Sequence, residues 1–177
     1  PYLIFDLVQY LQKKGKKLPL DPDSIVLSIG GWKRKAGDIC ERDLYNKMVS
    51  ETFDVPYERI RDYYAMAESN LFITECQYQK KHIPPWGYFS IRSFEEPRKV
   101  AVPVGEEGLV SYYDTINTTY PGFVISGDVG VVSSDGVCEC GRYGQILEFK
   151  RRATGAEIRS CALHMDHFVQ TQTAGVS

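Results

Sequence analysis

The stretch "FVISGDVGVVSSDGVCECGRYGQILEF", residues 123–149, holds two hydrophobic runs with a cysteine knuckle between them. "FVISGDVGVVSS" and "QILEF" are rich in β-branched and aromatic side chains and are punctuated by glycine, which predicts strands. The intervening "GVCECGRYGQ", residues 136–145, puts two thiols on one turn. Two thiolates so placed supply half of a tetrahedral zinc shell, which takes about four nitrogen or sulfur ligands.

Upstream, "TECQYQKKHIPPW" offers Cys76 and His82 in a segment whose prolines and lysines read as a loop. Cys76, His82, Cys138 and Cys140 together form a Cys₃His set. A closed set of that kind is structural, because it leaves no open position for substrate. The competing reading packs Cys76 as a small hydrophobe, leaves His82 on the surface and makes "CECG" a tight turn. Five cysteines, an odd number, argue against a disulfide framework, and Cys40 is assigned to helix packing.

Around the knuckle the texture is that of short strands. "YFSIR", "KVAVPV" and "GLVSYY" are all read as strands, separated by turns such as "PVGEEG". The first part of the chain reads differently. In "PYLIFDLVQYLQKKGKK" the residues Leu3, Ile4, Leu7, Val8 and Leu11 follow helical spacing, and Gly15 predicts the end of that helix. "SIVLSIGG" suits a buried parallel strand. A second helix is expected from Asp38 to about Phe53 with Leu44 and Met48 on its apolar stripe, and "IRDYYAMAE" is expected to be a short strand. The fold class is therefore α/β: an α/β layer over residues 1–75, a β-rich subdomain over 76–152 carrying the knuckle, and a tail over 153–177.

With 177 residues, 43% of them hydrophobic, the chain can fill a sizeable core. A formal net charge of -2 with basic residues spread among acids argues against a nucleic-acid partner. No apolar run approaches the roughly 18 residues of a membrane span, and "PYLIFDLVQY" lacks the basic start of a secretory signal, so a cytoplasmic protein is expected. The first residue is Pro1, which suggests a piece of something longer.

An ordered set of motifs resembles acyl-adenylate-forming enzymes. In "YYAMAESN" the residues Tyr64, Met66 and Glu68 fall in the frame of a Y-G-x-[ST]-E motif. "SIGGWK" is similar to the glycine loop upstream of that motif, and "ISGDVG" to a later T-G-D motif. "CECGR" is similar to the C-x-C-G-R of phenylacetate-CoA-ligase-like members. "HIPPW" and "RRATGAEIRSCAL" resemble the LuxE-type acyl-protein synthetases, and the chain is identified as the C-terminal part of such a protein.

The resemblance implies a fragment of the adenylate-forming enzyme fold and an ATP-dependent activation of a fatty acid or other carboxylate. The acyl group would pass from the acyl adenylate to a protein cysteine and on to an acyl-reductase partner. Gly30 and Gly31 with Tyr64 would flank adenine, Asp128 would accept hydrogen bonds from the ribose, and Arg152 would join the nucleotide site. Glu68 would ligate Mg²⁺. Cys161 would be the acyl acceptor with His164 as its base and His167 as an alternate, and Lys33 is either a phosphate contact or a solvated charge.

This chain departs from the motif at Ala65 and Ala67, where the family has glycine and a hydroxyl residue, and at Ser160, where it has glycine. The family's Ser/Thr/Gly-rich phosphate loop is not in these residues, so an N-terminal half carrying it is expected to be a partner. Two alternatives remain. A phenylacetate-type carboxylate-CoA ligase would share the nucleotide motifs and the knuckle but normally continues into a mobile C-terminal lid. A zinc-stabilised interaction domain without catalysis would keep the scaffold, and the two alanines favour it.

Overall fold

A computed structural model describes residues 1–30, 40–120, 122–133 and 136–155. The opening amphipathic run forms helix α1 (Tyr2–Lys13), which buries Phe5 and Val8 and turns Leu3, Leu7 and Tyr10 outward. It stops at Gly15, whose φ of +61° lets the Lys16 N–H reach back to the Leu11 carbonyl at 2.9 Å. That left-handed conformation is strained for most L side chains and open to glycine, so the helix end is written in the sequence.

Strand β1 (Val26–Ile29), helix α2 (Arg42–Phe53) and strand β2 (Ile60–Tyr64) make a β-α-β unit in which β1 and β2 pair in parallel, Val26 opposite Ile60 and Ile29 opposite Tyr63. The short strand β3 (Ile73–Thr74) joins the other edge of β2 antiparallel, giving the order β1-β2-β3. Phe5 and Val8 of α1 and Tyr45, Val49 and Phe53 of α2 close over Ile60, with Val26 packed against them.

Two expectations about this layer need correction. "SIVLSIGG" does pair in parallel, but of β1 only Ser28 is buried, while Leu27 and Ile29 are 45% and 50% exposed. The strand lies at the sheet's edge, and by alternation Leu27 and Ile29 point away from the helices. The second correction is to α2, where Leu44 is 53% exposed and Tyr45, Asn46, Val49, Thr52 and Phe53 face inward. Both stripes fit a helical period; the one with two aromatic rings removes more apolar area from water, and it faces the core.

The second sheet contains β4 (Lys81–His82), β5 (Gly87–Arg92), β6 (Gly108–Asp114), β7 (Phe123–Ser133) and β8 (Ile146–Arg152). Its order is β4-β8-β7-β6-β5, antiparallel throughout. Phe89, Ile91, Val110, Tyr112, Val132 and Leu147 form its core, and Leu71 and Ile73 from the arm of the first sheet are inserted among them. "KVAVPV" is not a strand: its one ladder contact is a bridge from Ala101 to Arg92. Pro103 has no N–H to give a ladder, and Val100 and Val104 are exposed.

Close approach explains two glycines here. A Cβ on Gly108 would sit 2.3 Å from the Arg92 carbonyl oxygen, and one on Gly130 would sit 2.8 Å from that of Glu148. Gly130 is also where the β7–β8 register slips, between Val129 and Gly130. Such a bulge bends the strand and re-aims the residues beside it, and Asp128 stands just before it.

A buried ionic network fastens the two sheets. Glu75, 4% exposed, takes Arg42 at 2.6 Å and Lys81 at 2.8 Å, and its Oε2 accepts the Asp62 N–H at 2.6 Å. Lys81 also pairs with Asp62 at 3.0 Å. Four charges from α2, β2, the turn after β3 and β4 thus neutralise one another around the buried Glu75. Among the described residues no helix is long and apolar enough to cross a membrane.

Candidate functional site

Tyr64 ends β2 and Asp128 lies in β7, yet the Tyr64 hydroxyl donates to Asp128 Oδ2 at 2.6 Å. On the carboxylate's other side the Arg152 guanidinium, from the end of β8, donates to Oδ1 at 2.6 Å. Both contacts are charge-assisted; Asp128 is 5% exposed, while the Arg152 side chain is 39% exposed and keeps part of its solvation. Burial first, and the Asp128 charge second, push the Tyr64 phenol far above its ordinary value, so it remains a neutral donor. The Tyr64 ring stacks on Phe149 with centroids 5.8 Å apart and planes 30° off parallel. A flat aromatic wall therefore adjoins a carboxylate and a guanidinium, a combination able to hold a planar base and hydroxyl groups.

Three of the residues expected at a nucleotide site, Tyr64, Asp128 and Arg152, are thereby brought together. Gly30 lies at φ +77° at the exposed end of β1, with open space where a Cβ would stand. Gly31, Lys33, Cys161, His164 and His167 fall outside the described residues. Phe149 escaped the sequence reading, although an aromatic two places after the buried Leu147 signals the same face less fully covered.

Glu68 is separate from that cluster. Its exposed side chain borders a cleft of about 300 Å³, lined also by Ser69, Asn70, Asn117, Thr119 and Tyr120. Carboxylate, amide and hydroxyl oxygens of this sort are hard donors suited to Mg²⁺. The buried Tyr112 phenol is near enough to feel Glu68 and Asp114: burial first, then those two charges, push it up to about 12. Its hydroxyl finds no hydrogen-bond partner among the described residues.

The second constellation is built from two tight turns that face each other. Cys76 opens one, where its N–H reaches the Lys80 carbonyl at 3.0 Å and Gln79 adopts φ +56°. Cys138 opens the other, closed by Cys138 N–H to the Arg142 carbonyl at 2.8 Å, with Gly141 at φ +84°. His82 belongs to strand β4 rather than to a loop, and pairing with Ile146 of β8 brings it over the knuckle. The ligand atoms of Cys76, His82, Cys138 and Cys140 all lie within 4.8 Å of one another, and His82 Nε2 is 3.4 Å from Cys140 Sγ. Zinc–sulfur bonds of about 2.3 Å set tetrahedral sulfur–sulfur separations near 3.8 Å, within the span of this cluster. Burial first and Arg142 second hold His82 below its ordinary value, which favours the neutral ring that binds metals.

Residues 1–169 match the family model described as acyl-protein synthetase, LuxE. A long-chain-fatty-acid-luciferin-component ligase of Aliivibrio fischeri is 31% identical over 172 residues, covering 96% of this chain and 44% of that protein. The ligase of the same description from Vibrio harveyi is 30% identical over 176 residues, covering 99% and 45%. The chain thus spans less than half the length of these curated relatives.

Among solved structures, a long-chain-fatty-acid-CoA ligase from Archaeoglobus fulgidus superposes with a TM-score of 0.58 at 19% identity, over 95% of this chain and 36% of that one. McyG A-PCP complexed with phenylalanyl-adenylate gives 0.56 at 14% identity, over 88% and 30%. At such identities the likeness is one of fold: the α/β layer and the β-rich sheet are part of the adenylate-forming enzyme fold. The family match, running from the first residue through residue 169, decides the rest. The chain belongs to the LuxE family of acyl-protein synthetases.

Proposed function

We propose that the chain is part of a cytoplasmic enzyme that activates a fatty acid with ATP and passes the acyl group to a protein cysteine, in service of an acyl-reductase partner. The observation that carries this reading is the convergence of Tyr64, Asp128 and Arg152, from β2, β7 and β8, on one buried carboxylate. Asp128 retains lone pairs beyond the two in use, and accepting ribose hydroxyls is the role they suit. Tyr64, with Gly30 and Gly31, flanks the base. Glu68 holds Mg²⁺, which supplies charge neutralisation at the phosphates when bound. In the chemistry of this class a carboxylate oxygen displaces pyrophosphate from the α-phosphorus, and a thiolate then displaces AMP from the acyl carbon. Cys161 is the proposed thiol and His164 the group that takes its proton. The phosphate loop is assigned to the part of the relatives' length that this chain does not span.

The four-residue thiol and imidazole cluster is assigned to a structural zinc ion, because the set is closed and its donors are the soft ones zinc prefers.

Titrating the 177-residue chain with a fluorescent ATP analogue tests the nucleotide site. Saturable binding that Asp128→Ala weakens at least tenfold is the expected result. Equal binding by both proteins refutes the assignment. In the whole enzyme, labelled fatty acid and ATP should leave a hydroxylamine-sensitive label that Cys161→Ser abolishes while pyrophosphate release continues; a label that survives moves the acceptor elsewhere.

A further inference from the structure

We propose that Asn117 is the positioning residue for Glu68: its side-chain amide donates to the Glu68 main-chain carbonyl at 2.6 Å and so fixes where that carboxylate enters the cleft. The inference rests on the reading of Glu68 as a divalent-cation ligand.

Glu68 sits in an irregular segment between β2 and β3, where no ladder or helix orders the backbone. A local turn, the Ser69 N–H donating to the Met66 carbonyl at 3.2 Å, closes around Glu68, and further order comes from the loop after β6. Asn117 Oδ1 accepts the Thr119 N–H at 2.9 Å and the Tyr120 N–H at 3.1 Å, so the amide plane is set by its own turn before its nitrogen reaches Glu68. The base of the loop is pinned as well: the Thr115 N–H and hydroxyl both donate to the Trp86 carbonyl, at 3.1 and 2.9 Å.

A second tie holds the other side of Glu68. Asp114, 3% exposed at the end of β6, accepts the Asn70 N–H at 2.6 Å and the Ile116 N–H at 3.2 Å. The segment carrying Glu68 is therefore clamped at residues 68 and 70 by one loop, and the cleft lies between the clamped parts. A carboxylate on a wandering backbone presents its oxygens to a cation only part of the time. Fixing the backbone raises the fraction of time spent in the competent geometry, and affinity scales with that fraction.

The test uses Mn²⁺ alone and the ¹⁵N-labelled 177-residue chain. Mn²⁺ should broaden the amide signals of residues 67–70, and Glu68→Gln should remove that broadening. Asn117→Ser keeps a side-chain oxygen for the Thr119 N–H but cannot span to Glu68. It should raise the Mn²⁺ concentration for half-broadening about three- to tenfold, the loss of one hydrogen bond, with signals elsewhere unmoved. An unchanged midpoint in Asn117→Ser overturns the positioning role while leaving Glu68 as a ligand. No broadening in the unmodified chain, or broadening that survives Glu68→Gln, overturns the reading of Glu68 and this inference with it. Should the serine variant fail to fold, Asn117→Thr, which also keeps a side-chain oxygen for the Thr119 N–H and cannot reach Glu68, carries the same comparison.

Discussion

Glutamine at position 75 removes one charge from the middle of the ionic network and almost no volume. The amide oxygen of Glu75→Gln still accepts from the Asp62 N–H and from Arg42, the latter bond losing its ionic component, but the new NH2 group replaces the oxygen that took Lys81 at 2.8 Å and cannot accept that bond. Weakening the first bond costs about 1 kcal/mol and losing the second about 2 kcal/mol, roughly 3 kcal/mol together. Lys81, 14% exposed, keeps Asp62 at 3.0 Å as a carboxylate partner, which limits the loss. Arg42 is 37% exposed and recovers part of its solvation, which subtracts from it. The expected destabilisation is about 2–3 kcal/mol, just below the roughly 3–5 kcal/mol for breaking a fully buried pair. Urea unfolding, followed by circular dichroism at one fixed metal content for both proteins, measures it as a lower midpoint at unchanged slope. Because Glu75 and Lys81 are shielded, most of the loss should persist at 1 M salt, where the Debye length falls to about 3 Å, while the share from the more exposed Arg42 is screened. A change below about 1 kcal/mol, or one that vanishes in salt, would refute the view that this network fastens the sheets.

Further expectations follow from single features. Purified protein should carry one equivalent of zinc by metal analysis, and chelation should loosen the β4–β8 edge, seen as faster amide exchange there, since binding energy at a closed site is folding energy. Gly108→Ala should destabilise by about 3 kcal/mol, read from its thermal midpoint, because the new methyl meets a backbone oxygen at 2.3 Å that cannot rotate away. In metal-free protein His82 binds a proton less readily folded than unfolded, so stability is retained above its ordinary value of 6.5 and lost as pH falls through it. Unfolding midpoints from pH 8 to 5 check the sign, and His82→Asn should flatten the dependence.

Periodicity and turn chemistry made most elements legible. α1 and its glycine stop follow from spacing alone, and β6, β7 and β8 from β-branched runs between glycines. The four residues that the fold gathers into one thiol and imidazole cluster could be chosen because C-x-C and a nearby Cys/His pair are chemically scarce. What stayed hidden depended on long-range placement. Nothing local tells Tyr45 from Leu44 as the buried face of α2, or says that the outer side of β1 is uncovered. The Glu75 network was invisible because Arg42, Asp62 and Lys81 read as ordinary surface charges until the sheets are folded together. Asp128 and Tyr64 were separable from core and turn through motif frame, whereas Asn117 acts through a main-chain carbonyl that carries no residue signature.

The bare side of the first sheet sets a rule for how that sheet can grow. β1 pairs with β2 in parallel, its other edge has no strand partner among the described residues, and the face that carries Leu27 and Ile29 also carries Phe72 across β2, 62% exposed. A neighbour that extends the sheet in parallel cannot arrive through a tight hairpin; its chain has to return through a crossover of a dozen or more residues, usually a helix. That crossover has to lie on one face or the other, and α1 and α2 already occupy one. Adding the next strand and roofing the exposed leucine, isoleucine and phenylalanine therefore become a single assembly step, in which hydrogen-bond pairing and desolvation arrive together.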